Sequence, residues 1–213
     1  LGSLSLSSDD DVTIYDGAAN IQNMTVAQIA GLEAAGVSAV TSNGQDIYLS
    51  VDQATALGAV TVGAGVTAIV ADTAAALSAL TTTQIAGLGA SGLERIDSAE
   101  NAVSFSVAQG TALVAAGLVI DGGEVATLLD LGVHLADMSV SEIQDLTQAG
   151  FDIVDASDDE LSLSINQYHA ITGFGGAMVS AKSDAMALPS GMSLTQTDTV
   201  TLADSGAALG MLG

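Results

Sequence analysis

The chain signals the start of a helix six times in the same way. Thr25, Ser50, Thr81, Ser106, Ser139 and Ser164 are followed three residues later by Gln28, Gln53, Gln84, Gln109, Glu142 and Gln167. Each pair is a capping box: the hydroxyl accepts the third helical N–H, and the Gln or Glu reaches back to the amide of the cap. A large apolar residue precedes every box: Met24, Leu49, Leu80, Phe105, Met138 and Leu163. Ile29, Ile85, Ile143 and Tyr168 complete a hydrophobic staple with it, whereas Ala54 and Gly110 supply little. Seven positions after the cap stands Leu32, Leu57, Leu88, Leu113, Leu146 or Ile171. Eleven after it come Gly36, Gly92, Gly117, Gly150 and Gly175, as a left-handed helix stop requires; the remaining instance has Thr61. The spacing predicts six short helices of about ten residues each.

The boxes come in pairs because the chain also repeats at a longer period. Asp16, Asp72, Asp130 and Asp204 each close an apolar run, and the first two intervals are 56 and 58 residues. Strand character is expected at 12–15, 66–71 and 200–203, leading into the Asp, with Asp16, Asp72 and Asp204 capping a short helical turn. Two further strand runs fall between the boxes of each pair: 37–40 and 47–49, 93–96 and 103–105, 151–154 and 161–163. These features predict an α/β class. They describe a solenoid of about three 56–58-residue repeats, each with two short capped helices and short strands, whose stacked units share one interior. A compact α/β domain built by duplication is the competing arrangement. The repeats are expected at 12–65, 66–123 and 124–179, with a partial fourth at 193–213. The interval from Asp130 to Asp204 is 74 residues, so 180–192, which holds Lys182 and Pro189, reads as an excursion from the stack.

Charge narrows the function classes. Against 25 Asp and Glu the chain has 2 Lys and Arg, a formal net charge of −23. Only Arg95 and Lys182 can meet an anion, so nucleic acid and anionic lipid are excluded as partners. With 49% hydrophobic residues the chain has enough apolar surface to fold despite that charge. The absence of cysteine removes disulfides, thiolate metal sites and thiol nucleophiles. Residues 54–71 form the most membrane-like stretch, but Gly, Ala and Thr there replace the leucine that insertion needs, so no membrane insertion is expected.

No catalytic motif stands out. His134 takes the repeat position of Asn20 and Ala76, and His169 that of Thr55 and Thr111, so both are expected to be exposed polar residues on helices. The nucleophile elbow, the phosphate loop and the zinc-helix motif are all missing, and the chain is expected not to be an enzyme. The turns between the paired strand runs are richer: 41–46, 97–101 and 155–160 are polar, and the last two are acidic. If they stack directly, two charges about 5 Å apart repel by about 3 kcal/mol at an effective dielectric near 20. A divalent cation relieves that, and calcium suits Asp97, Glu100, Asp155, Asp158 and Asp159. Solvated acidic loops without metal are the alternative.

The repeated boxes, the run Val200-Thr201-Leu202-Ala203-Asp204, the acidity and the scarcity of Lys, Arg and Cys together resemble the repeat regions of large acidic bacterial surface proteins exported by type I secretion, the RTX-like adhesins. That resemblance implies a secreted protein at the bacterial cell surface, folding outside the cell with calcium. The nearest approach to the family's Gly-Gly-x-Gly-x-Asp motif is Asp121-Gly122-Gly123-Glu124. The expected function is a non-catalytic structural or adhesive module of a surface, matrix or filament protein. Its partners would be copies of itself or neighbouring repeats, and a glycan or cell surface. The alternative is a glycan-binding or glycan-acting module with its site near the 180–192 excursion, against which the 3% aromatic content weighs.

Overall fold

A computed structural model describes residues 10–173, 191–195 and 197–204. The first elements are β1 (Val12–Asp16), α1 (Ala18–Gln22), α2 (Val26–Ala30), a 3-10 turn (Glu33–Ala35), β2 (Val37–Ser42), β3 (Ile47–Leu49) and α3 (Val51–Ala56). The order recurs as β4 (Thr61–Val62), β5 (Ala68–Asp72), α4 (Ala74–Ser78), α5 (Thr82–Ala90), β6 (Arg95–Ser98), β7 (Ala102–Phe105) and α6 (Val107–Ala116). It recurs again as β8 (Val119–Ile120), β9 (Val125–Asp130), α7 (Gly132–Ala136), α8 (Val140–Gln148), β10 (Ile153–Ala156), β11 (Glu160–Leu163) and α9 (Ile165–Thr172). The last described strands are β12 (Ser193–Leu194) and β13 (Thr199–Leu202).

The class is mixed α/β, and every strand pair is parallel. The sheet orders are β1-β2-β4, β3-β5-β6-β8, β7-β9-β10-β12 and β11-β13. A parallel neighbour can be reached only through a crossover, and here the crossover is helical each time. Each strand segment with its helices is therefore one pass of the chain, laid beside the previous one. Ile69 pairs with Arg95 and Thr127 with Ile153, both 26 residues on, and the intervening shifts are shorter. The helices follow suit, with α2 on α3, α3 on α5, α5 on α6, α6 on α8 and α8 on α9.

One contiguous apolar cluster runs from Ala18 to Met192. The aliphatics seven after each cap, from Leu32 to Ile171, are all buried in it. Phe105 and Phe151 meet edge to face at 6.1 Å, joining two passes at its centre. Gly110, a poor staple partner by sequence, sits where a Cβ would touch Leu146, Leu128 and Phe151: the next pass supplies the apolar contact instead.

All six boxes form as predicted, each with both reciprocal hydrogen bonds. Their helices are shorter than expected at α2 and α3, which have 5 and 6 α-helical residues. Gly36, Gly92, Gly117 and Gly150 have positive φ as expected. α9 ends instead at Gly173, two residues before Gly175, which lies outside the described residues with most of the 180–192 excursion. Strands β4, β8 and β12 were not expected. They have only two residues each, too few to show an alternating pattern.

The repeated Asp residues differ from expectation in an informative way. The cap of the following helix is the next residue, Gly17, Thr73 or Leu131. Asp72 Oδ1 accepts the N–H of Thr73, while its Oδ2 accepts the N–H of Val51 at 3.0 Å, the first helical residue of the preceding pass. Asp130 does the same to Val107 at 3.0 Å, and Asp204 to Ile165 at 3.2 Å. Each carboxylate thus ties one pass to the next.

The glutamines of the second box in each pair tie in the other direction. Gln53 Nε2 donates to the carbonyls of Gln22 and Met24, Gln109 Nε2 to Ser78 and Leu80, and Gln167 Nε2 to Ala136 and Met138, all within 2.6–2.9 Å. Only an amide both accepts from its cap and donates backward. At the first box of each pair no such donation occurs among the described residues, and Glu142 serves there. Gln109→Glu is therefore expected to cost about 2–3 kcal/mol, since two part-buried carbonyls lose their donor and face a carboxylate. Gln84→Glu should be close to neutral, and urea unfolding of the two variants checks the contrast.

Candidate functional site

The acidic turns were the sequence's best candidate for chemistry, and the fold spaces them differently from expectation. Between the turn after β6 and the turn after β10 runs another pass, residues 121–124: Asp121 N–H donates to Ile96 O at 2.8 Å and Ser157 N–H to Asp130 O at 2.8 Å. The turns at 97–101 and 155–159 are thus two passes apart, about 10 Å on parallel-strand spacing, rather than directly stacked.

The five predicted ligands divide among separate tasks. Glu100 Oε2 accepts the N–H of Ala74 at 2.7 Å, and Asp158 Oδ1 accepts that of Gly132 at 2.8 Å, so both cap helices of the preceding pass. Negative charge is favourable at that end of a helix. Asp159 has φ 58 at the turn position that Asn101 fills with φ 53; the longer first turn has its positive φ, 87, at Gly44. Asp and Asn tolerate that left-handed geometry better than other residues with a Cβ. Asp155 Oδ1 accepts the hydroxyl of Thr195 at 3.1 Å, and Asp97 faces Glu124. Among the described residues no three His, Asp or Glu side chains converge to hold a metal ion.

Gly132 shows how closely α7 approaches the turn. A Cβ there would lie 1.6 Å from the carbonyl oxygen of Glu160, a backbone atom that cannot step aside. Gly132→Ala is expected to push α7 off β11 and cost about 1–3 kcal/mol, despite the better helix propensity of alanine.

Sequence reasoning missed the acids of the intervening passes. Glu124 is buried: its Oε1 accepts the N–H of Ser98 at 3.1 Å, and its Oε2 has no hydrogen-bond partner. One copy later Asp198 accepts the N–H of Ala156 at 3.3 Å, and Thr195 donates to its Oδ2 at 2.6 Å. Two carboxyl pairs result, Asp97 with Glu124 and Asp155 with Asp198. The first copy has Thr41 and Val66 in the corresponding places. The partners lie 27 and 43 residues apart, on an intervening pass that an alignment at the 56–58-residue repeat never sets against these turns.

Burial pushes the Glu124 carboxyl above its usual range; Asp97 and Asp121 add to that and the Ser98 N–H opposes it. A raised folded pKa means that this site contributes most below the unfolded value, about 4.3, and loses stability as pH rises through the folded value. Glu124→Gln keeps the Ser98 bond and gives Asp97 a donor. It should raise the melting temperature at pH 7 and weaken the acid preference.

The pair His134 and Asp130 is the other titrating feature. His134 Nδ1 lies 2.7 Å from Asp130 Oδ1, where Asn20 Nδ2 lies 2.7 Å from Asp16 Oδ1. The hydrogen bond and charge of Asp130, with Asp137 and Asp158 behind it, raise the His134 pKa. Burial pushes Asp130 up, but its bonds to His134, Leu131 and Val107 outweigh this and hold it low. The stability that His134 gains on protonation is full below about pH 6.5 and is lost as pH rises through its raised value. His134→Asn should keep the hydrogen bond at all pH and flatten the melting profile between pH 5 and 8.

A shallow depression of about 390 Å³ beside α4 is lined by Ala74, Ser78, Glu100, Ser104, Val125 and Thr127, with one carboxylate and no aromatic ring. Arg95 meets Asp121 at 2.7 Å on the surface, a pair worth about 0–1 kcal/mol at such exposure. No helix among the described residues is long and apolar enough to cross a membrane. Scanned against protein-family models and searched against curated proteins, the chain matches none.

Proposed function

We propose that the chain is a non-catalytic spacer or adhesive module, an α/β solenoid of about three 56–58-residue repeats from an extracellular bacterial surface, matrix or filament protein. The supporting observation is the use of its polar side chains between passes. Gln53, Gln109 and Gln167 with Asp72, Asp130 and Asp204 make the same inter-pass bonds in each copy, and Glu100 and Asp158 cap neighbouring helices. Side chains committed to stacking suit a load-bearing or length-setting element better than a reaction site. The high negative charge keeps such a rod soluble and repels other acidic surfaces.

A solenoid extends by insertion of whole repeats. A second copy of residues 66–123 placed after residue 123 adds two more passes, about 10 Å along the stack. The lengthened chain should unfold cooperatively, and its maximum dimension by small-angle scattering should grow by about that amount. Loss of folding, or growth in all dimensions, would overturn the solenoid. Calcium belongs to this reading as the cation expected outside the cell. Millimolar calcium should raise the melting temperature more than sodium chloride of equal ionic strength; an equal rise leaves only screening.

A further inference from the structure

We infer that the edge of β1 left unpaired among the described residues, with Asp16 at its end, is a docking site for a partner of defined form: a strand parallel to β1 followed by a Ser- or Thr-capped helix with an unbonded first N–H. The inference rests on the solenoid reading and adds the recognition element that its first pass presents.

The molecule holds three filled versions of this site. Ile47–Leu49 pairs with Ala68–Val70, then Ser50 caps α3 and Val51 N–H meets Asp72. Ala102–Phe105 pairs with Val125–Leu128, then Ser106 caps α6 and Val107 N–H meets Asp130. Glu160–Leu163 pairs with Thr199–Leu202, then Ser164 caps α9 and Ile165 N–H meets Asp204.

Among the described residues β1 has the receiving half alone. It is the outer strand of its sheet among the described residues, paired with β2 on one side. Val12 and Ile14, which correspond to the fully buried Ala68 and Val70, are only half-buried. Asp16 Oδ1 accepts Gly17 N–H and Asn20 Nδ2–H, both at 2.7 Å, as Asp72 and Asp130 bond locally through Oδ1. Its Oδ2, the oxygen that elsewhere takes the neighbouring helix, receives no donor from the described residues. Those local bonds, from Asn20 first and then Gly17, hold the carboxyl below its usual range, so it meets the positive end of a helix as an anion. An exposed strand edge supplies the main-chain half of the recognition.

The described part of a second copy does not fit this site. The N-termini of α3, α6 and α9 are taken by their own Asp residues. Those of α4 and α7 are taken by Glu100 and Asp158, α1 is capped by Gly17 rather than Ser or Thr, and α2, α5 and α8 follow a short helix rather than a strand. The occupant is therefore a strand-and-capped-helix pass that lacks its own Asp clamp.

The test uses such a pass from this chain as probe. A fluorescent peptide of residues 45–60 is titrated against the full chain, and in parallel residues 43–67 are grafted ahead of Val12 in place of residues 1–11. Peptide binding should be saturable and weaken about tenfold with Asp16→Ala. In the graft, the amides of β1 should exchange more slowly and the melting temperature should rise. Asp16→Ala should cancel that rise, and so should Val51→Pro in the grafted copy, which removes the first helical N–H at a position that tolerates proline. A graft that leaves β1 exchange unchanged, or gains that ignore both substitutions, would overturn the docking site. If the repeat insertion succeeds and the graft fails, the solenoid stands without the docking site. The reverse pattern removes the solenoid and leaves an isolated strand-and-helix interaction.

Discussion

The fold depends on how helix N-termini are satisfied. A helix leaves its first N–H groups without partners, and a chain with nine such ends among its described residues, six of them opened by a capping box, must supply acceptors for them or lose stability. Here the capping boxes satisfy the cap and the third residue from within the helix, and the first residue of every third helix, α3, α6 and α9, is satisfied from outside by the Asp of the following pass. The glutamine of the same box turns its amide to the preceding pass. One helix end is thus bonded to the pass before and the pass after. Apolar contact alone has no fixed register, whereas these bonds form only when the passes are aligned.

The same logic explains how so acidic a chain forms close contacts. Its carboxylates are not simply spread over the surface. Glu100, Asp158, Asp152 and Asp198 each accept a main-chain N–H from another pass. A carboxylate that accepts N–H groups, or sits at a helix start, is stabilised as an anion by fixed dipoles rather than by Lys or Arg, of which there are 2. Glu124 departs from this pattern, because one of its oxygens is buried without a donor and Asp97 lies beside it. The first copy has Val66 at the position of Glu124. The third copy gives its corresponding pair a hydroxyl from Thr195.

Much of the local structure was legible in the sequence, and the reason is physical. A capping box concerns four consecutive residues, so Thr25 with Gln28 or Ser164 with Gln167 is decided by contacts within one helical turn. The strands ending at Asp16 and Asp72 were visible because their apolar runs are long enough to read. Strands such as Thr61–Val62 were not, since two residues carry no period and their pairing comes wholly from β2. The role of Asp72 was misread as a local cap because its second partner, Val51, lies 21 residues away. Glu100 and Asp158 likewise look like turn acids until the helix 26 residues before them is placed alongside.

The sequence by itself determined where helices begin, which of their faces are buried, and the repeat that makes successive passes equivalent. These follow from interactions between residues a few positions apart, repeated often enough to exceed chance. Only the tertiary structure decided which pass lies against which, and so which carboxylates meet. The expected direct stacking of the 97–101 and 155–159 turns gave way to an interleaved pass carrying Asp121 and Glu124, because each parallel strand must cross over through a helix before it returns. Contacts across that crossover depend on the shift between passes, which is set by packing and main-chain pairing rather than by any neighbouring residue.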